Sequence, residues 1–418
     1  MTRHDTGAAG PGETPRLVHP AVWMVLFFPF GATSGFVSVT IGYLAKQQGI
    51  GDAAIAGLVA MSVLPHTFKF FWAPLPDTTF TRRRWYFASN ILSSLTLIGL
   101  ALVPIRSDTL QLLRVLIFVN SLAVTFLGMA VEGLLAHTVS DTQRGTASGW
   151  LQAGNLGGAG LGGGLALFLA QRLGAQTAFI IVAVGLMACS LTLRFVPEPA
   201  RISRASLMKE FAGVLADLKD TILQTRVGLL AMLLCLLPTG AAAAAGLFSA
   251  MADRWSTSAD KVALYTGLLA GIVSAIGCLA GGWLSDRFDR KMAYALSGLL
   301  LAVIAVGMYL GPRNELGYGV FTLLYQFGAG VSYGAFTGFV LEAIGRGAAA
   351  TKYNALASLS NIPIWYMTTI DGWASERHGV DVMLLVDAAS EVIGAAVFLA
   401  LAFLLLGRMR QRAVNSGT

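Results

Sequence analysis

The sequence predicts an all-α membrane protein of twelve transmembrane helices arranged as two pseudo-symmetric six-helix bundles. Three observations predict it. The 418 residues are 55% hydrophobic and only 12% charged, with a mean hydropathy of +0.68, which is too little polar surface for a soluble globule of this size. The apolar stretches run to about 20 residues or more without dyad alternation, the length at which a helix rising ~1.5 Å per residue crosses a ~30 Å hydrocarbon core. Within that core every backbone amide and carbonyl needs an internal partner, so without a barrel pattern only helices remain. Finally, charged features recur at nearly one offset: 209 residues from Asp77 to Asp286, 210 from Glu132 to Glu342 and 208 from Arg144 to Lys352. Such an internal duplication builds two related halves around a central axis.

The elements follow in order. Residues 1–22 are polar, with Gly10, Pro11, Gly12 and Pro15, and read as a disordered tail without the pattern of a signal peptide. An N-terminal bundle over 23–197 holds apolar runs, bounded by charged or Gly/Pro breaks, near 21–45, 53–76, 85–104, 110–138, 146–170 and 176–197. A linker over 198–225 carries Leu207, Phe211, Val214, Leu215, Leu218 and Ile222 at helical spacing, with Lys209, Glu210, Asp217, Lys219 and Asp220 between them. That pattern predicts an amphipathic helix lying along the membrane face, a tether between the bundles. The C-terminal bundle over 226–407 repeats the runs near 226–251, 261–285, 291–311, 317–345, 350–374 and 381–407, and 408–418 form a second tail. The 48 glycines suit bundles in lipid, where small residues let backbones approach. Gly154, Gly158 and Gly162 predict one flat packing face, with Gly267 and Gly271 as its counterpart across the halves.

Orientation follows from the loops. Arg82, Arg83, Arg84, Arg144, Lys209, Lys219, Arg290, Lys291 and Lys352 fall on one side, which outweighs Lys46, Arg106, Arg172, Arg254 and the few other basic residues opposite. The positive-inside rule makes the richer side cytoplasmic, and both termini with it. Anionic inner-leaflet lipid is then a sufficient partner for the net charge of +7, and no nucleic acid is called for. The expected setting is a bacterial cytoplasmic membrane, with the chain a monomer. Cys189, Cys235 and Cys278 all fall inside apolar spans, so neither a disulfide framework nor a metal site is expected.

Between the eighth and ninth predicted spans stands Gly282-Trp283-Leu284-Ser285-Asp286-Arg287-Phe288-Asp289-Arg290-Lys291. It resembles the signature loop of the major facilitator superfamily, Gly-x-x-x-Asp-Arg-x-x-Arg followed by Arg or Lys, and so implies the major facilitator fold. A weaker copy, Ala73-Pro74-Leu75-Pro76-Asp77 with Arg82-Arg83-Arg84, follows the second span. An aspartate ending one even span, an arginine in the loop and a glutamate near the end of the next even span can form a charge network in one conformation. The expected latch comprises Asp77, Arg82 and Arg83 in one half and Asp286, Arg287, Arg290, Lys291 and Glu342 in the other. Such a network biases a two-state equilibrium by about 1–3 kcal/mol. The competing reading is that these charges only orient the loops.

A closer resemblance is carried by Gly31-Ala32-Thr33-Ser34-Gly35-Phe36, Thr40-Ile41-Gly42-Tyr43-Leu44 and Lys69-Phe70-Phe71-Trp72-Ala73-Pro74-Leu75-Pro76-Asp77. These look like the AmpG-type muropeptide permeases, whose relatives include the acetyl-coenzyme A transporters. Likeness continues through Ala130-Val131-Glu132-Gly133, Arg144-Gly145 and Gly162-Gly163-Gly164 to Pro197-Glu198-Pro199, and thins in the second half. Thr78 departs from the family's usual Arg, and Glu132 stands where the permeases tend to carry Asp. The resemblance implies muropeptide-like or acyl-coenzyme A-like substrates.

A charged side chain at mid-bilayer costs roughly 2.5–3.5 kcal/mol on insertion scales, so each one inside a span is a functional candidate. Lys69 and Glu132 lie at similar depth in neighbouring spans, which suits an ion pair. Glu132 reads either as a protonatable coupling group or as a structural partner of Lys69 or the loop arginines. His66 follows Pro65 and either titrates near neutrality or packs against its neighbours. Asp387 and Glu391 lie one turn apart in the outer half of the last span, where like charges repel, so one is expected to be protonated or to face water. Asn120, Asn155, Tyr325, Gln326, Tyr333, Asn361 and Trp365 either line a cavity for a polar solute or hydrogen-bond between helices.

These readings converge on a secondary active transporter, a proton-coupled symporter of a polar or anionic small molecule working by alternating access. The alternatives are a drug or metabolite exporter of the same superfamily and, in a different class, a transporter-like membrane sensor. An enzyme is not expected, nor a cofactor. Gly158-Ala159-Gly160-Leu161-Gly162-Gly163 contains Gly-x-Gly-x-x-Gly but sits in an apolar helix after no strand. Gly330-Val331-Ser332-Tyr333-Gly334 lacks the strand-to-helix turn that a nucleophile elbow requires.

Overall fold

A computed structural model of the protein describes residues 18–198, 207–222, 225–344 and 349–415, and all regular structure in them is helical. Most of the expected N-terminal tail and part of the expected linker lie outside these residues. Twelve spans form two six-helix halves. In the first half, α1 is Ala21–Gln47, α2 covers 52–78, α3 is Arg82–Leu102, α4 is Leu110–Thr138, α5 is Arg144–Leu173 and α6 is Ala175–Phe195. In the second, α7 covers 226–251, α8 covers 259–287, α9 is Arg290–Leu310, α10 is Glu315–Ile344, α11 is Ala349–His378 and α12 is Val380–Asn415. The last helix runs beyond the expected end at 407.

Among the described residues nine spans are long and apolar enough to cross a membrane; α2, α7 and α11 are the other three. Each has a physical reason. In α2 the helix Asp52–Phe68 gives way to a tight turn, Lys69–Phe71, and restarts at Pro74, because Pro74 and Pro76 supply no amide to continue the ladder. In α7 the helix Arg226–Leu236 stops before Pro238 and resumes at Ala243, after Gly240 and Ala242 adopt left-handed backbone at φ 75° and 51°. The single helix expected over 226–251 is therefore broken at mid-membrane. In α11 the helix is continuous but carries Lys352, Asn354, Asn361 and Asp371.

The end of the molecule bearing Arg82, Arg144, Arg290 and Lys352 is here termed the basic end. Its core is shared. One cluster of buried side chains joins Trp23, Phe27, Leu134 and Leu151 of the first half to Leu234, Phe339, Val340 and Leu356 of the second. Toward the opposite end the cores are separate, one around Phe36, Leu97, Ile117 and Phe179, the other around Phe248, Trp255, Tyr318 and Leu384. The halves are thus fused at the basic end and keep independent cores at the other.

Helices α5 and α8 form the longest seam between the halves. A Cβ on Gly149 would lie 2.5 Å from the Cys278 carbonyl oxygen, and one on Gly160 would lie 2.7 Å from the Gly271 Cα. The row Gly154, Gly158 and Gly162 faces α1 instead: a Cβ on Gly162 would meet Ala32 Cα at 2.4 Å. The expected pairing of that row with α8 is corrected accordingly, since Gly271 meets Gly160 and Gly267 faces open space. The linker helix, Leu207–Ile222, packs against the ends of α2, α7 and α11 nearest the basic end. Its Asp217 pairs with Lys352 at 3.1 Å.

Candidate functional site

The two signature aspartates occupy equivalent places. The segment Pro74–Thr78 ends α2 and presents Asp77 to the start of α11, where Thr351 donates its amide (2.9 Å) and its hydroxyl (3.0 Å) to Oδ2. Asp286, near the end of α8, accepts from the Gly145 amide at 2.7 Å, the Thr146 amide at 2.6 Å and the Thr146 hydroxyl at 2.6 Å, at the start of α5. Each carboxylate thus caps the N-terminus of a helix in the opposite half, where unsatisfied amides and the positive end of the helix dipole favour an anion. Charge-assisted hydrogen bonds of this kind contribute about 1.5–3 kcal/mol each.

The arginines brace these caps. Arg82 contacts Asp77 at 3.2 Å; Arg290 contacts Asp286 at 3.6 Å and Glu342 at 3.0 Å, and Lys291 contacts Glu342 at 3.1 Å. Arg290 also donates to the Asp141 carbonyl, and Arg144 donates to that of Leu341 at 3.1 Å, each crossing between halves. Two expected members sit elsewhere. Arg287 is exposed, with its guanidinium over the Trp283 ring at 4.5 Å, and Arg83 is joined through its backbone amide to Glu198 at 2.9 Å. What crosses the interface at this end is therefore carboxylate to helix N-terminus and arginine to carbonyl, while the Arg82–Asp77 pair lies within the first half and the Asp286, Arg290 and Glu342 network within the second.

One layer deeper, Glu132 of α4 accepts a hydrogen bond from the Asn354 amide of α11 at 2.8 Å, again between halves. Lys69 is buried at the tight turn of α2, within electrostatic reach of Glu132. The break in α2 and the restart at Pro74 are what place a lysine inward at this depth. His66, one turn back, packs edge-on against Phe30 with ring centroids 4.9 Å apart.

Beside Glu132 a buried polar chain also spans the interface. Asn155 donates to Gln152 at 3.0 Å, Gln152 donates to Thr337 at 2.8 Å and to the Tyr353 hydroxyl at 3.4 Å, and Thr337 and Tyr353 lie 3.2 Å apart. Sequence reasoning found Asn155 but missed Gln152, Thr337, Tyr353 and Asn354. Each is uncharged, and only the fold shows that it faces the other half.

The remaining candidates divide. Asn120 is fully engaged inside the first half, donating to the Ser93 carbonyl and hydroxyl at 3.0 Å and to Thr96 at 2.9 Å, so it joins helices and lines no cavity. Gln326 receives the Ser274 hydroxyl through its carbonyl at 3.1 Å. Tyr333 is half-buried on α10, whereas Asn361 and Trp365 are exposed on α11. Tyr325 is wholly buried and donates to Asp387 at 2.8 Å. Asp387 and Glu391 are each 1% exposed, so neither faces water. Glu391 accepts from the Gly240 amide at 2.5 Å and the Ala242 amide at 3.5 Å, which makes the break in α7 its capping site.

Comparison with known proteins agrees with this architecture. A candidate transporter of Rickettsia felis named AmpG 4 is 21% identical over 355 residues, spanning 80% of this chain and 86% of the relative. The crystal structure of the Escherichia coli fucose:proton symporter FucP superposes with a TM-score of 0.70 at 15% identity, covering 94% of this chain and 99% of that one. FucP in its outward conformation gives a TM-score of 0.71 at 16% identity, covering 92% and 99%. The sequence profile of the Major Facilitator Superfamily matches residues 23–364. With twelve helices in two halves, an aspartate of each half capping a helix of the other, and a profile match over most of its length, the chain belongs to the Major Facilitator Superfamily of membrane transporters.

Proposed function

We propose that the protein is a proton-coupled symporter of a polar or anionic solute, acting as a monomer in a bacterial cytoplasmic membrane with its basic end in the cytoplasm. The observation that carries this reading is the Glu132–Asn354 hydrogen bond. Glu132 lies one layer in from the closed end, with Lys69 in its field, and is also a contact between the halves, so gaining a proton weakens the interface that keeps that end shut. The fused core at the basic end and the separate cores opposite correspond to a state closed toward the cytoplasm. The symport named for FucP and the transporter name of the Rickettsia relative support the class. The closer sequence resemblance makes muropeptide-like and acyl-coenzyme A-like compounds the first solutes to test.

The test is uptake by proteoliposomes under an imposed pH gradient, screened over peptidoglycan fragments, acyl-coenzyme A, sugars and drugs. At least one compound is expected to accumulate, and accumulation should stop when the gradient is collapsed. Transport indifferent to the gradient overturns the coupling. Orientation has its own check: cysteines placed at Gly49 and Asn314 should react with a membrane-impermeant thiol reagent in intact cells, and one placed at Phe288 should not. Cys235 and Cys278 are buried and give little background. Labelling at Phe288 alone would invert the topology.

A further inference from the structure

Away from the basic end, the C-terminal half holds a group of carboxylates that the proposed coupling does not use. Asp371 on α11 is 0% exposed, and Asp387 and Glu391 on α12 are 1% exposed. Asp371 and Asp387 each lie eight residues from the α11–α12 turn at Gly379, which puts them at one depth, with Glu391 a turn deeper. All three act on one another electrostatically.

Their compensation is unequal. Glu391 receives two backbone amides from the α7 break, and Asp387 receives the Tyr325 hydroxyl. Asp371 receives nothing: neither of its oxygens has a hydrogen-bond partner among the described residues. The titratable groups around the cluster are Asp387 and Glu391 from α12, Tyr325 from α10, Tyr294 from α9 and Tyr366 from α11. None of these is cationic, and the segment Ala243–Leu247 of α7 packed against α11 adds no titratable group. In contrast to Glu132, which has Lys69, this cluster would confine up to three negative charges in an apolar bundle. An ionised carboxylate buried without donors is among the most expensive arrangements a protein can hold.

We propose that Asp371 is a proton-binding site of the C-terminal half, occupied in the conformation described and emptied only when α11 separates from α12 or the α7 break rearranges to offer donors. The ligand is a proton. Deprotonation would set Asp371 against Asp387 and push apart two helices that pack on the α7 break, making the outer part of this half responsive to pH. The inference deepens the proton-coupled reading but concerns a different carboxylate.

The experiment is infrared difference spectroscopy of the purified, reconstituted protein, reading the carbonyl stretch of protonated carboxylic acids while pH is stepped from about 5 to about 9 and D2O replaces water. One band component is expected to be lost in Asp371→Asn and retained at a shifted frequency in Asp371→Glu. Should Asp371→Asn fail to fold, the shift in Asp371→Glu alone decides. An unchanged spectrum in the folded variants shows that Asp371 carries no proton. Loss of the band on adding sodium chloride at constant pH assigns the site to sodium and overturns the proposal. Glu132→Gln is silent for this component, so failure here and failure of the coupling at Glu132 are read separately.

Discussion

Glu132→Gln is expected to abolish accumulation driven by a pH gradient while preserving exchange of substrate across the membrane. The amide keeps an oxygen to accept the Asn354 hydrogen bond, as protonated Glu132 would, so the basic end keeps this contact in its weaker, uncharged form. What it loses is the choice between a charge that attracts Lys69 and a proton that releases it. With one proton coupled per cycle, each unit of pH gradient supports about a tenfold concentration ratio, since one pH unit is worth ~1.36 kcal/mol. The variant should therefore fall from that ratio to about one, with exchange rates within a fewfold of the native protein. Lys69→Ala leaves the glutamate without its cation in the same buried layer and should impair both modes. If Glu132→Gln still concentrates substrate, coupling lies with another carboxylate, and Asp387, Glu391 and Asp371 are the ones to examine.

The positions of most spans were legible because hydropathy is a property of each segment alone. Ten of the twelve needed only adjusted ends; α2 is interrupted at Lys69–Phe71, ahead of Pro74 and Pro76, and α7 shows the limit. The stretch after Arg226 reads as one apolar run to 251, and the break in α7 leaves only the short dip at Pro238, Thr239 and Gly240, which the apolar residues on either side concealed. Breaking the helix exposes amides, and those amides are what hold Glu391. A carboxylate read as repelled by its neighbour is also held by those amides, which the sequence did not reveal.

The candidate site was legible to the extent that charge inside a span is conspicuous. Lys69, Glu132, Asp387 and Glu391 stood out for that reason, and Asp371 carried the same signal, diluted by the polarity of α11 around it. Partners across the halves were not legible. That Asp77 faces Thr351 and Asp286 faces Gly145 depends on how two bundles dock, and nothing in either segment encodes the other. The repeat offset revealed that the aspartates correspond, but not that each caps a helix N-terminus. Asn354 and Gln152 are ordinary amides until the fold turns them to the interface.

Gly282→Val is expected to force open the basic end. A Cβ at this position would lie 2.4 Å from the Gly145 carbonyl oxygen and 2.6 Å from the Gly149 Cα, both backbone atoms that cannot rotate aside. The only relief is for α8 to withdraw from α5, which also strips Asp286 of the amides it caps. Overpacking of this kind costs about 1–3 kcal/mol, and a bias of that size shifts a two-state population by roughly 5–150-fold. Spin labels at the exposed positions Thr142 and Phe288 on opposite sides of the seam should report a longer distance in the variant. Asp286→Ala removes three hydrogen bonds without inserting a wedge, so it should shift the distribution the same way by less. Gly267→Val is the control, because a Cβ there meets nothing within 4 Å. A distance distribution in Gly282→Val that matches the native protein would show that the seam yields without opening, and that closure of the basic end rests on the α2–α11 contact at Asp77 and Thr351 instead.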